Sequence, residues 1–366
     1  MCPVPARSTT IDCHRMHTDA QPRTEAANPA LAQSERLAWL FRAAHVQERP
    51  HPLLQPVACL RDVADAAMPL LPPWQSPAIP QEPRHTVDRT WLRDHLAAWP
   101  ALPQAVLAAI RVLQRDDSST GECADALGRD PALAAQLLRL ANAAAYGRAG
   151  RIGHLHDAIA LLGRRTVGSV LMAAAVSAQF SGARCPGFDR ARFARESFAC
   201  GIAAQTLAIE LGADGGLAFT AGLLHDIGRL VLVGALPAAM GQAMAWARLH
   251  DQPLHLAEQE VLGIDHAEAG AWIAQHWNFP PALVAAMAGH HGAGPATEPG
   301  HQWLVDVVQG ADAIVHALDL HQAEDERVPA LAPALWQRLD LSPARSARLL
   351  AVTEQGVAAL GDALAL

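Results

Sequence analysis

An imidazole and a carboxylate stand side by side at His225 and Asp226, inside the otherwise apolar stretch GLLHDIGRL at 222–230. One offers a nitrogen and the other an anionic oxygen, a pair that hard and borderline divalent ions share. Two donors alone hold no ion, so further ligands must come from elsewhere in the chain. His266, the adjacent His290 and His291, and Asp312 are the candidates that follow. His290 and His291 continue the face of Leu283, Val284 and Met287 in steps of three and four, and Asp312 borders the apolar stripe Leu304, Val308, Ala311 and Val315. Asp265 precedes His266 as a helix N-cap, with Glu268 completing a capping box. The positive end of that helix is expected to keep the imidazole neutral, as a ligand must be.

These groups need helices to aim them inward, and the sequence supplies little else. Alanine and leucine dominate while aromatic residues make up 5% of the chain, which favours helix over sheet, and an all-α fold is expected. Residues 1–95 read as a weakly structured preface with one helix at 29–46 and a proline-rich linker over 50–85. A helical subdomain is expected over 96–183. In it Ser119 and Glu122 form a capping box, Gly128 stops a helix, Pro131 opens the next behind Asp130, and Gly147 ends it. A second subdomain over 184–300 carries helices at 191–211, 217–233, 238–250, 255–262, 266–277 and 281–291, which puts His225 and Asp226 mid-helix. Residues 301–366 complete the bundle, with a helix at 301–319 and the last one starting near Ser342 and Pro343.

Composition removes several function classes. All 28 basic side chains are arginine, so chemistry that needs lysine, such as P-loop phosphate binding, Schiff bases or a kinase lysine, is excluded. The net charge is −8 and the arginines are scattered, which argues against nucleic-acid binding. Arg190, Arg192 and Arg195 read as a solvated face. The uncharged runs at 166–183 and 230–247 read as buried core helices and not as membrane spans, because Ser, Gln, Thr, Gly or Pro dilutes each. None of the six cysteines forms a CxxC pair and no signal peptide is visible, so a cytoplasmic protein with free thiols is expected. Cys13, His14 and His17 could make a metal-binding tail, although termini gather such residues without consequence.

The order His-Asp, His, His-His, Asp resembles the HD superfamily of metal-dependent phosphohydrolases, and especially the HD-GYP branch that hydrolyses cyclic dinucleotides. In that superfamily divalent ions acidify a bridging water and polarise phosphoryl oxygens. An earlier histidine completes the set there, and the matching segment FARESFACGIAAQTLA puts Glu196 at its position. Arg229 stands where a lysine usually follows, and GAGPATEPG replaces the glycine-tyrosine-proline segment. Together ALPQAVLAAIRVL, DPALAAQLLRLANAAAYG, IGHLHDAIALLG, AGLLHDIGRLVL and GIDHAEAGAWIAQHWNFPPALVAAMAGHH resemble the HDOD domain, an HD-related output domain of bacterial signalling proteins, over roughly 99–300. Ala143 departs from the serine that often follows the asparagine matching Asn142, itself read as a cap or an inter-helix hydrogen bond.

That resemblance implies a non-catalytic module that contacts a protein partner of a signalling pathway. It implies no catalytic residue and no required cofactor. A vestigial metal site is then expected at His225, Asp226 and Asp312, with Glu196, His266, His290 and His291 as weaker candidates and Fe, Mn or Zn as the ion if one is kept. The alternative is a metal-dependent phosphohydrolase acting on a nucleotide or cyclic dinucleotide. For the His-Asp pair itself two readings stand side by side: a hydrogen-bonded buried pair, or ligands of an ion. Glu196, Asp226 and Asp312 brought together would need a cation or protons. Arg229 is expected to pair with a carboxylate. Partner, input signal and oligomeric state are not legible.

Overall fold

The computed structural model describes residues 29–42, 51–61, 87–97, 99, 104–115, 117–144, 152–180, 184–292 and 298–360, and among them there is no strand. Cys13, His14, His17 and Gly147 lie outside the described residues. The helices α1 (Pro29–Leu40), α2 (Leu54–Leu60) and α3 (Arg89–Ala97) lead into α4 (Gln104–Gln114), α5 (Thr120–Gly128), α6 (Pro131–Ala144), α7 (Leu155–Leu162) and α8 (Arg164–Gln179). There follow α9 (Arg190–Glu210), α10 (Gly215–Leu224), α11 (Ile227–Ala235), α12 (Pro237–His250), α13 (Leu254–Leu262), α14 (His266–His276) and α15 (Pro281–Gly289). The chain ends in α16 (Gln302–Leu318), α17 (Pro333–Leu339) and α18 (Pro343–Leu360). The all-α expectation holds.

Local signals set many boundaries. Ser119 accepts from the Glu122 amide while the Glu122 carboxylate accepts from the Ser119 amide, so the capping box of α5 forms. Asp265 caps α14 through the Glu268 amide, but the Glu268 side chain turns away to Arg89. Asn142 donates to the carbonyls of Leu138 and Ile152 and accepts from the Ile152 amide, tying the end of α6 to the strand-free entry of α7. The run at 230–247 is not one helix, because Pro237 opens α12 after α11 has ended. The run at 166–183 is α8 for most of its length, with Val167, Val170, Leu171 and Val176 buried. Among the described residues one segment, Gly215–Ala235, is long and apolar enough to cross a membrane, and 72% of its most apolar window is buried inside the protein.

Among the described residues the buried apolar side chains gather into two large cores and one small cluster of Val170, Phe198, Phe219 and Leu223. The first joins α3–α8 to the inner faces of α11, α14 and α15 through Leu92, Ile110, Leu171, Phe180, Val231 and Ile273. The second joins α9, α10, α16 and α18 to the amino-terminal helices through Leu207, Ile314, Leu349, Leu37 and Phe41. The amino-terminal region therefore holds more order than a single helix: α1 and α2 bury Leu37, Leu40, Phe41, Leu53 and Val57. That burial outweighs the proline content around them, since each such side chain contributes roughly 1.5–3 kcal/mol.

The expected helix at 217–233 is broken at its centre. Asp226 has φ −93° and ψ 11°, and the chain turns there between α10 and α11. Gly222 and Gly228, three residues either side of His225, explain the path. A Cβ at Gly222 would lie 2.5 Å from the Cys200 carbonyl oxygen, and one at Gly228 would lie 1.8 Å from that of His266. The two glycines thus allow α10 to press on α9 and α11 to press on α14.

Two outcomes follow. Gly228→Ala is expected to lower unfolding free energy by at least ~2 kcal/mol, the overpacking range or beyond it, because backbone and not a flexible side chain is in the way. Gly168→Ala, in ordinary contact with Leu113 at 3.9 Å, is expected to be neutral or stabilising by up to ~1 kcal/mol; denaturant unfolding compares the two. Separately, burial, partly offset by the Pro329 carbonyl, pushes the His51 imidazole down to about 4. The unfolded chain therefore takes up this proton first, so stability is full above pH ~6.5 and falls towards pH ~4, by roughly 1.4 kcal/mol per unit at most. His51→Gln is expected to lose that part of the pH slope, read from unfolding curves between pH 7 and 4.5.

Candidate metal centre

Five helices meet around Asp226. The break after α10 aims His225 and Asp226 into the gap between α9 and α16, α14 presents His266 from its first turn, and His290 and His291 close the end of α15. One ligand atom from each of Asp226, His266, His290 and His291 lies within 4.8 Å of the others. His266 Nε2 is 2.7 Å from His291 Nε2, 3.3 Å from His290 Nε2 and 3.1 Å from Asp226 Oδ1. His290 Nε2 is 3.3 Å from the same oxygen. His225 Nε2 lies 3.6 Å from both Asp226 Oδ1 and Asp312 Oδ1.

The ring orientations are set from behind. His225 Nδ1 lies 2.7 Å from the Gly222 carbonyl and His290 Nδ1 lies 2.7 Å from the Met287 carbonyl. A carbonyl only accepts, so both Nδ1 atoms carry hydrogen and both Nε2 lone pairs face the centre in the neutral rings. His266 Nδ1 is held at 2.5 Å by Glu258, a fully buried carboxylate that also accepts from the His266 amide at 2.8 Å. A carboxylate behind an imidazole is the arrangement that fixes metal-binding histidines and raises their basicity.

Asp226 divides its two oxygens. Oδ2 takes Arg229 at 3.0 Å, while Oδ1 is buried and accepts no well-directed hydrogen bond. An orphaned anionic oxygen among inward-facing Nε2 atoms is what a cation would satisfy. Donor atoms sharing a tetrahedral ion with bonds of ~2.0–2.1 Å lie ~3.3 Å apart, close to the 3.1 and 3.3 Å among Asp226, His266 and His290, whereas His266 and His291, now 2.7 Å apart, would have to part to share it. The donor set fits a divalent ion.

Protons do the same work when no ion is bound. Burial opposes charge on His266, but Glu258 and Asp226 outweigh it and push the imidazole up to about 10. The expectation that the helix end keeps it neutral is therefore corrected: two carboxylates at contact exceed the helix dipole. Burial likewise disfavours charge on Asp226 and is overcome by His225 and His266, which hold the carboxyl well below its usual range. Burial and the neighbouring charges of His266 lower both His290 and His291.

Glu196 joins none of this. Arg192 holds its Oε1 at 2.7 Å and Arg229 lies 3.7 Å from its Oε2. Arg229 pairs with carboxylates as expected, whereas Arg192 belongs to the site wall and not to a solvated face. It also reaches Asp325 and Glu326, each at 3.0 Å. The three expected carboxylates are thus separated: His225 stands between Asp226 and Asp312, and two guanidinium groups cover Glu196. Sequence reasoning missed Glu258, His255, His316 and Glu326. His316 falls four residues after Asp312 on the same apolar helix, a spacing that puts both on one face. A cavity of about 740 Å³ opens onto the cluster, with Arg192, His255, Asp312, His316 and Glu326 in its wall.

The HDOD domain family matches residues 99–293, and the chain belongs to that family. A crystal structure from Shewanella amazonensis SB2B, of a protein provisionally assigned as a phosphohydrolase, is 30% identical, with 75% of this chain and 98% of that one covered and a TM-score of 0.59. An HDOD domain protein with unknown function from Geobacter sulfurreducens shares the fold at 22% identity, with 72% of this chain and 87% of that one covered and a TM-score of 0.56. An uncharacterized protein of Treponema pallidum (strain Nichols) is 25% identical over 230 residues, 62% of this chain and 44% of the relative. This chain spans less than half the length of the curated relatives it matches.

Proposed function

We propose that the chain is a regulatory signalling protein that works by contact with a protein partner, and that its HD-like pocket is a divalent-cation site and not a hydrolytic centre. The buried Asp226 Oδ1, with imidazole nitrogens of His266 and His290 at 3.1 and 3.3 Å but no well-directed hydrogen bond, is the observation that carries the cation site. Asp226, His266, His290 and His291 would hold Fe, Mn or Zn. When bound, such an ion supplies a fixed positive charge, a Lewis acid and an acidified water. Glu258 keeps the His266 ring in its binding orientation, and Arg229 holds the second oxygen of Asp226 so that the first faces inward.

Glu196 supports the non-hydrolytic reading. The resemblance implies an imidazole there, and this chain has instead a carboxylate committed to Arg192 and Arg229. Membership of the HDOD family supports a role through protein contacts. The second reading, a phosphohydrolase acting on a nucleotide or cyclic dinucleotide, draws on the cavity of about 740 Å³, wide enough for a phosphate ester, and on the Shewanella relative.

Elemental analysis and phosphodiesterase assays on the full chain separate the readings. Purified protein is expected to retain Fe, Mn or Zn, to lose it in Asp226→Ala, to bind it ~10–100-fold more weakly in Glu258→Gln, and to turn over no cyclic dinucleotide. Turnover that Asp226→Ala abolishes would establish the hydrolase instead, and a protein that binds none of the three ions would remove the cation site.

A further inference from the structure

Two aspartates in left-handed backbone close helices beside the cavity, Asp251 at the end of α12 and Asp319 at the end of α16, with φ 46° and 51°. From the first runs the joint that brings Pro253 and His255 into the cavity wall, and from the second the helix-free segment 319–332 that brings Asp325, Glu326 and Leu331. The same distant element holds both. Arg36 takes the two oxygens of Asp319 at 2.7 Å, and Arg42, two residues past the end of α1, takes those of Asp251 at 2.7 and 2.8 Å. Paired N–H···O bonds of this kind are strong and directional, and a cation suits the carbonyl end of a helix. The backbone of 319–332 is fastened there too. Arg36 donates to the Ala323 carbonyl, Trp39 to that of Glu324 and Arg42 to that of Glu326, while the Leu40 carbonyl accepts from the Val328 amide.

The plainer account makes α1 a fixed part of the core, since Leu37, Leu40 and Phe41 are buried. Asp251 argues instead for a contact that can be undone. It has a second guanidinium partner: Arg327 donates to its carbonyl at 2.8 Å and makes a short contact with Oδ1, the oxygen that Arg42 also holds. Burial and the neighbouring charge of Arg42 push Arg327 down to about 10. Breaking a buried ion pair is costly chiefly because it strands a charge. Loss of Arg42 strands none on Asp251, and it relieves a repulsion. Ala323 is half-buried and Glu324 exposed, so water can replace the bonds to their carbonyls. Both α1 and the segment 319–332 lie outside residues 99–293, the part that the family matches.

We infer that α1, with Arg42 behind it, is a releasable strap on the cavity. Docked, it fixes the segment 319–332 so that Glu326 meets Arg192 and His316 in the cavity wall. Drawn away, it frees 319–326 to swing from the cavity about Arg327, which stays on Asp251. Binding at α1 and binding in the cavity are then coupled, each changing the other by the same factor. The strap does not depend on an ion at Asp226.

The test is amide hydrogen exchange of the full chain, read by mass spectrometry with α9 as the internal reference. In the natural chain, peptides from 29–42 and from 319–328 are expected to open as one unit, with protection ~10-fold or more below that of α9. Arg42→Gln is expected to lower the protection of 319–328 a further ~10-fold while α9 stays within ~2-fold of its natural value. Natural protection of both segments equal to that of α9 would overturn the inference, because the strap would then leave only when the whole protein unfolds. Arg42→Gln that leaves 319–328 within ~2-fold, or lowers α9 by the same factor, would overturn it as well. Should Arg42→Gln fail to fold by circular dichroism, the natural chain and Arg36→Gln, judged by the same criteria, decide.

Discussion

A carboxylate that has lost its water must find positive charge, and Asp226 is where this protein meets that requirement. Leaving such a group unpaired costs several kcal/mol, more than most single contacts contribute. Arg229 satisfies one oxygen, and the other faces nitrogen atoms from α14 and α15. Only a proton or a cation can reconcile those partners with each other. The helix break at Asp226 and the two glycines that let α10 and α11 approach their neighbours all bring this one oxygen to its place.

Charge balance extends outward from it in layers. Arg192 takes Glu196, Asp325 and Glu326 together, so the cavity wall is a closed set of ion pairs beside the imidazole cluster. The loop that carries Asp325 and Glu326 is itself held by the amino-terminal helix. Arg36 grips Asp319, Arg42 grips Asp251 and donates to the Glu326 carbonyl, and the Val328 amide donates to the Leu40 carbonyl. Arg42 is buried, with its charge matched by Asp251 at 2.7 Å. Residues that looked like a preface to the domain therefore brace one side of the site.

Much of this was legible in the sequence, for identifiable reasons. Helical periodicity, the Ser119 capping box and Pro131 are local signals, and local signals survive folding. The ligand-type residues His225, Asp226, His266, His290 and His291 were legible because histidine and aspartate are conspicuous on apolar faces. What stayed hidden depends on contacts between distant segments. Glu258 looked like an ordinary helical glutamate until His266 folded onto it, and Glu326 lay in a loop with no pattern at all. The turn at Asp226 was invisible because no helix-breaking residue marks it; the close crossing at Gly228 imposes it from outside. Arg192 was misread because a charge on a helix normally faces water, and here three carboxylates from elsewhere turn it inward.

The central claim is that the nitrogens around Asp226 Oδ1 await an ion and not merely a shared proton. Anomalous diffraction from crystals of the full chain grown with Mn2+ tests it most directly. The account predicts an anomalous peak in bonding contact with Asp226 Oδ1 and the Nε2 atoms of His266 and His290. Ring nitrogens still at hydrogen-bonding distance from one another, with no peak between them at saturating Mn2+, would contradict it.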